Sequence, residues 1–474
     1  MSEEPFAASA QPFGGMSVSL VLTKRARMPT VGARPRLGDV VHLNSTGKGH
    51  VRMTGGSGRG AGLGQALRVP EFRTLWAAEL VSVAGDQLAR VGLSVLVFGR
   101  TGSAAWAAAA YALTFLPALV GGVLLGRLAD RHPPRQVMIV CDLVRALLVA
   151  LMVLPATPLP LLCTLLVAVV LLTPLHAAAQ GALLPDVVPG PAFEAALAVR
   201  HVTGQAAQVG GFAVGGLLVA TLSPAAALAL NAVSFVVSAL VVRFGVAPRP
   251  VPATGMPARP APRWWADARA GLCTVLGDGR RRVLVCAAWL MGCFVLPEAL
   301  AVSYVQQLGL DTAAAGLLMA ADPAGSALGA WLFTRFVPER LRRRAIGPLA
   351  VAAALPLGLC GTAPGFGATL VLWGISGACA TACLVQSQAE FVRVTPVGLR
   401  GGAIGVAAAG LVGAQGVAVL LGGVAAQVWG SRGAVALCGA LGMALALAVT
   451  RAHLRTPVVG DAVVARPGSV PVER

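Results

Sequence analysis

Three ionisable side chains interrupt one long apolar run, LWAAELVSVAGDQLARVGLSVLVF: Glu79, Asp86 and Arg90. In hydrocarbon each costs several kcal/mol unless paired or hydrated, so such residues mark places where water, protons or a polar cargo reach the interior. Asp86 lies eleven residues beyond Leu75, about 17 Å along a helix and close to the middle of an apolar layer of about 30 Å. Arg90 follows four residues later, where the two side chains can meet, and Glu79 precedes Asp86 by seven on the same face. A self-neutralised pair that only aids packing is the plainer reading. Apolar residues would serve packing as well at little cost, which favours a hydrated cavity.

Other apolar runs carry fewer such groups. In CDLVRALL, Asp142 and Arg145 are three apart on one helix face, an internal pair nearer one end of its run and better suited to a gate or to packing than to cargo. Glu298 stands in LPEALAVSY and Asp322 in AADPAGSALGA, where Pro323 frees backbone groups to line a cavity. A carboxyl group held out of water takes up and releases a proton near neutral pH, the chemical requirement for proton coupling. His176, Gln180, Gln208, Asn231, Gln386, Gln388 and Gln415 add polar atoms that suit either cargo contact or bonds between helices; for any one alone, bonds between helices are the better expectation.

The elements that position these groups follow from composition. Of 474 residues 56% are hydrophobic and 12% charged, with a mean hydropathy of +0.77, which excludes an ordinary soluble protein. Apolar segments of about 20 residues occur at 75–99, 104–128, 136–154, 159–183, 194–221, 224–242, 283–307, 311–335, 345–363, 366–390, 400–428 and 432–450. Twelve transmembrane helices in an all-α membrane protein are therefore expected. Nineteen Arg fall in or beside alternate loops between these segments, and the intervening loops hold only Arg100 and Arg432. That asymmetry places both termini and the long central loop in the cytoplasm. The net charge of +18 is thus a set of membrane anchors and not a nucleic-acid footprint. Nine Cys, without Cys-x-x-Cys or a His at ligand spacing, read as small hydrophobes, so neither disulfide nor metal is expected.

The longest internal loop, about 243–282, is rich in Pro and Arg and divides six segments from six. The expected organisation is a basic tail (1–70), a six-helix bundle (71–243), a linker (244–282), a second bundle (283–452) and a short tail (453–474). Within the linker, residues 264–276 fit a helix lying on the inner membrane surface about as well as a plain linker. Sliding one half onto the other by 207 residues pairs Gly122 with Gly329, Pro189 with Pro396, Gln208 with Gln415 and Gly215-Gly216 with Gly422-Gly423, as a duplicated unit requires. The tail's change of composition, with both Lys of the chain (Lys24 and Lys48), suggests a start at Met53 in place of Met1.

The loop after the second segment reads Gly126-Arg-Leu-Ala-Asp130-Arg131-His-Pro-Pro-Arg135. It resembles the Gly-x-Leu-Ala-Asp-Arg-x-Gly-Arg-Arg signature of the major facilitator superfamily, with Pro133 at the second Gly. The stretches ALLPDVVPGPAFEAALAVRHVTGQAAQVGGFAVGGLL and VTPVGLRGGAIGV are similar to the branch containing bacterial macrolide-efflux and enterobactin-exporter proteins. The resemblance covers about 68–450 and implies two six-helix bundles around a central cavity, with alternating access driven mostly by proton exchange. It also implies a cytoplasmic gate, read as Gly126, Asp130, Arg131, Arg135, Asp142 and Arg145. The antiporter signature survives only as Gly211-Phe212-Ala-Val-Gly215-Gly216 without its Pro, and Ala177 stands where a signature Arg is often found. Both departures weigh against proton coupling. In the second half, RFVPERLRRR keeps basic residues and Glu339 but lacks the Gly-x-x-x-Asp spacing.

The expectation is a monomeric secondary transporter of the plasma membrane, exporting a small amphipathic or hydrophobic compound with proton coupling and no cofactor. Asp86, Arg90, Glu79, Glu298, Asp322, Gln208 and Gln415 are its candidate cavity residues. An importer of a small solute, or a membrane scaffold or sensor that transports nothing, are the alternatives. No motif of hydrolytic, phosphate-binding or metal-dependent catalysis is present in the sequence, so an enzyme is not expected.

Overall fold

The computed structural model describes residues 66–122, 132–155, 157–189, 192–249, 264–342, 344–396 and 399–455, and these are helical with short connections and no strand. The first half holds α1 (Pro70–Thr101), α2 (Ala104–Gly122), α3 (Pro134–Met152), α4 (Leu159–Val187), α5 (Ala192–Thr221) and α6 (Pro224–Gly245). After α7 (Trp264–Leu276) come α8 (Gly279–Gln307), α9 (Thr312–Phe336), the short α10 (Glu339–Arg342), α11 (Ile346–Leu359), α12 (Phe366–Val394) and α13 (Arg400–Arg455). Local chemistry sets the ends. Ser103, Ser223, Asp278 and Asp311 accept from backbone N–H groups of the first turns of α2, α6, α8 and α9. Gly102, at φ 62°, closes α1 through a bond from its N–H to Phe98 O.

Eight of these helices, α1, α2, α4, α5, α6, α8, α12 and α13, are long and apolar enough to cross a membrane. The expected segments all fall on helix where they are described, but not as twelve equal spans. α3 carries Arg135, Asp142 and Arg145, α11 is only 14 residues, and segments 400–428 and 432–450 share the 56-residue α13, kinked at Gly430 (φ 72°). Residues 264–276, left open between linker and helix, are helical, and α7 docks on α13, with Gly271 against the Gly402 carbonyl and Val406.

Within the first half α1 packs on α5 and α6, and α3 on α4 and α6; within the second α9 packs on α12, and α11 on α12 and α13. The halves meet where α5 crosses α9 and α2 crosses α13. Both crossings depend on missing side chains: a Cβ on Gly216 would stand 2.6 Å from Gly316 Cα, and one on Gly423 2.5 Å from Ala108 Cβ. Near the start of α2, Gln427 also donates to Ser103 at 2.7 Å. Toward the opposite, arginine-rich end, a Cβ at Gly204, Gly401 or Gly405 would meet nothing within 4 Å. Among the described residues, the contacts named between the halves lie toward one end, which leaves the arginine-rich end as the one where they can part.

The 207-residue offset reappears in the packing. Gly121 lies against the Leu171 carbonyl and Gly329 against Ala378, so the contacted position moves by 207 (171 to 378) and the glycine by 208. The cores differ, however. One continuous apolar cluster fills the second half, from Leu284 through Leu318 and Trp373 to Ala446, and crosses the seam to Val91, Tyr111, Phe212 and Ala227 of the first. The first half has two, one around Phe72, Met138 and Leu183, the other around Leu93, Met152 and Phe235. What separates them is the candidate site.

Candidate functional site

The dividing layer is polar and lies near the middle of four helices. Asp86 is central in the 32-residue α1, Asp142 central in the 19-residue α3, and His176 and Ser238 face them from α4 and α6. Arg145 holds the layer together. One guanidinium nitrogen lies 3.2 Å from Asp86 Oδ2 and another 3.5 Å from Asp142 Oδ1, while the group stacks 4.0 Å from the centroid of Phe235. Ser238 Oγ donates to Asp142 Oδ2 at 2.6 Å, and His176 Nε2 is 3.4 Å from Oδ1. Asp142 and Arg145 are buried, but the Asp86 side chain is 32% exposed. It borders a cavity of about 110 Å³ lined by Arg90, Arg145, Thr114 and Asn231 and otherwise mostly by aliphatic side chains such as Leu93, Val149 and Leu166.

This layer changes the pairing expected from sequence. Asp86 meets Arg145 of α3, not Arg90 one turn along its own helix. Asp142 and Arg145, read as part of a cytoplasmic gate, belong to the same network as Asp86. Gly85 explains the approach: its missing side chain lets α1 lie against Ser234 and Asn231 of α6, turning the Asp86 face inward. Glu79 faces elsewhere, accepting from Arg200 Nε at 2.5 Å and from its terminal nitrogen at 2.8 Å, with Gln180 on the same guanidinium.

A second group lies on the seam between the halves. Arg90 sits 5.8 Å from the Tyr111 ring centroid and 5.6 Å from that of Phe115. Tyr111 OH donates to Glu298 Oε2 at 2.6 Å, and both residues are buried. Asp322 is close enough to Glu298 to interact electrostatically, its Oδ1 resting where Gly377 leaves room. Arg90 therefore borders the first-half cavity and also faces a cluster with two carboxyl groups from the other half. Sequence reading passed over Tyr111, although the chain has just two Tyr and a phenol in the apolar run AAWAAAAYALTF was an available signal. It also passed over Arg200, Ser238 and Phe235 as partners.

The remaining candidates do not join either cluster. Gln208 donates to its neighbour Gln205 at 3.2 Å, and Gln415 packs against Gly292 of α8. Arg135 donates to the Arg243 carbonyl, tying α3 to the end of α6. Gly126, Asp130 and Arg131 lie outside the described residues. Among the described residues no group of three His, Cys, Asp or Glu side chains is placed to hold a metal, and all nine Cys are free.

Apolar helices joined at one end, with ionisable residues layered at mid-depth, define a multi-pass membrane protein with a polar interior. The Major Facilitator Superfamily profile matches residues 75–391, and the chain belongs to that family. It is accordingly a transporter of small molecules and not an enzyme. Among solved structures, nucleoside transporter NupG is similar with a TM-score of 0.61 at 14% identity, covering 81% of this chain and 100% of that one. A bacterial homologue of the iron transporter ferroportin, in an inward-facing state, gives 0.57 at 16% identity over 82% and 98%. These likenesses show the fold. Macrolide efflux protein A of Streptococcus pyogenes is 36% identical over 76 residues, 16% of this chain, and the chain spans about a fifth (19%) of that relative's length.

Proposed function

We propose that this protein is a secondary transporter of the plasma membrane that exports a small amphipathic or hydrophobic compound by alternating access coupled to protons, acting as a monomer. The observation that carries this reading is the cavity beside Asp86: aliphatic walls with one charged edge suit a compound that is mostly apolar with a polar end. At about 110 Å³ it is smaller than the roughly 300 Å³ or more that a drug-sized ligand needs, so cargo must also use the space between the halves. The short match to a macrolide efflux protein supports export over import.

In this reading both termini and the linker are cytoplasmic, as the arginine asymmetry requires. The domains are 71–243 and 283–452, flanked by tails 1–70 and 453–474 and joined by the linker 244–282. The end at which the halves part then faces the cytoplasm, and the glycine crossings close the outer end. Tyr111 and Glu298 bridge the closed side. Protonation of Glu298 from the outer side removes the charge that strengthens this bond and loosens the seam, letting the halves rock apart outward; the proton leaves to the cytoplasm once the protein faces inward again. Asp86, Arg145 and Arg90 bind cargo or protons, and Gly126, Asp130, Arg131 and Arg135 form the inner gate.

The test is accumulation of a panel of antibiotics and dyes in cells with and without the protein, with the proton gradient intact or collapsed. Lower accumulation of at least one amphipathic compound, abolished in Asp86→Asn and on collapse of the gradient, is expected. Export that persists without the gradient rejects proton coupling, and identical accumulation with and without the protein across the panel rejects the exporter reading.

A further inference from the structure

At the arginine-rich end of the second half, three adjacent arginines of α8 have different fates. Arg280 lies 3.5 Å from Glu390 of α12, and Arg281 lies 3.8 Å from Asp278, the residue capping the same helix. Arg282 has no carboxylate partner among the described residues. It opens instead onto a cavity of about 480 Å³ between the start of α8 and the end of α13, together with Arg451 and Arg455. Those two are four residues apart and share a helix face. Neither has an ion-pair partner among the described residues, and the nearby carboxylates Asp278 and Glu390 are already engaged. The rest of the wall is apolar and mostly small, formed by Gly279, Val283, Ala448 and Ala452.

We propose that this cleft binds an anionic phospholipid, with the phosphodiester among Arg282, Arg451 and Arg455 and an acyl chain along the wall of Val283, Ala448 and Ala452. Depth, charge and shape agree. The cleft lies where the apolar stretches of α8 and α13 give way to arginine, the level of the headgroups. Three guanidiniums with no acid of their own among the described residues match a phosphate, and the first turn of α8 adds its N-terminal dipole. A free phosphate would leave the apolar wall uncovered, whereas a lipid fills both parts. The inference does not depend on what the transporter carries.

The test is native mass spectrometry of the full-length protein delipidated in detergent and titrated with phosphatidylglycerol or phosphatidylcholine. The wild type should retain phosphatidylglycerol in preference to phosphatidylcholine. The combined variant Arg282→Gln, Arg451→Gln, Arg455→Gln should lose roughly a hundredfold in apparent affinity, from about a fivefold loss per arginine. Ala452→Leu keeps every charge but narrows the apolar wall, and should weaken retention of the lipid. Arg73→Gln, Arg335→Gln, Arg344→Gln, which removes three exposed arginines elsewhere, should retain it. Equal retention of both lipids, equal loss in the control triple, or full retention by Ala452→Leu would overturn the site.

Discussion

The two halves of this molecule share a packing plan but not a chemistry. Corresponding helices meet through glycines 207 residues apart (Gly216 and Gly423), yet the second half is filled by one unbroken apolar cluster that takes in Val91, Tyr111 and Phe212 across the seam, whereas the rest of the first half is cut in two by Asp86, Asp142, Arg145 and His176. Among the described residues, the two halves therefore share a packing plan while the network around Asp86, Asp142 and Arg145 lies in the first. In our reading the first half binds and the second is the firm body against which it rocks. Glu298 and Asp322 are the second half's contribution, and both look toward the seam.

The comparison breaks most visibly at Asp142. Replacing it with Ala leaves Arg145 with Asp86 as its one carboxylate and takes the acceptor from Ser238, and should cost about 3 kcal/mol, read as a fall in the thermal midpoint of the purified protein. Replacing Asp142 and Arg145 together with Leu and Met should recover most of that stability while export stays lost, because an apolar layer packs but does not bind. If the double variant still exports, the network is structural only. A smaller effect is expected at the seam: Tyr111→Phe leaves the buried Glu298 carboxylate without its donor, costing roughly 1–3 kcal/mol. Export should slow in the same variant, measured as initial efflux rate in loaded vesicles. The smallest effect belongs to the second half's core. Tyr304 and Trp373 stack edge to face at 5.5 Å, and Trp373→Phe should lose about 1 kcal/mol of stability with efflux unchanged. A large transport defect there would mean that the second half does more than support.

Much of this architecture could be read from the chain, because burial in lipid demands long apolar runs and repetition demands a constant offset. Every expected segment lies on helix where described, and the loop between α2 and α3 carried the family signature that the comparison bears out. The partners of the charged residues were less legible. Helical spacing allowed Asp86 to meet Arg90, but spacing along one helix says nothing of what the neighbouring helix presents. Gly85 lets α6 approach, α3 brings Arg145 to the same level, and Arg90 turns to the aromatic rings of α2. Glu79 was placed on the Asp86 face by the same arithmetic, and Arg200 of α5 claims it. Tyr111 gave no periodic signal because its partner, Glu298, lies 187 residues away in the other half. Tertiary proximity of that kind has no local trace.

The most direct measurement is reactivity of a thiol in the cavity beside Asp86. Ala89→Cys, which lines that cavity and leaves Asp86 in place, in a chain whose nine native cysteines have been replaced, is exposed to a membrane-impermeant thiol reagent added to one face of sealed vesicles or the other. The cytoplasmic side should react in the resting protein, and the outer side should gain reactivity when a proton gradient or cargo is applied. A thiol that reacts from neither face under every condition, in a protein that still exports, would contradict the account.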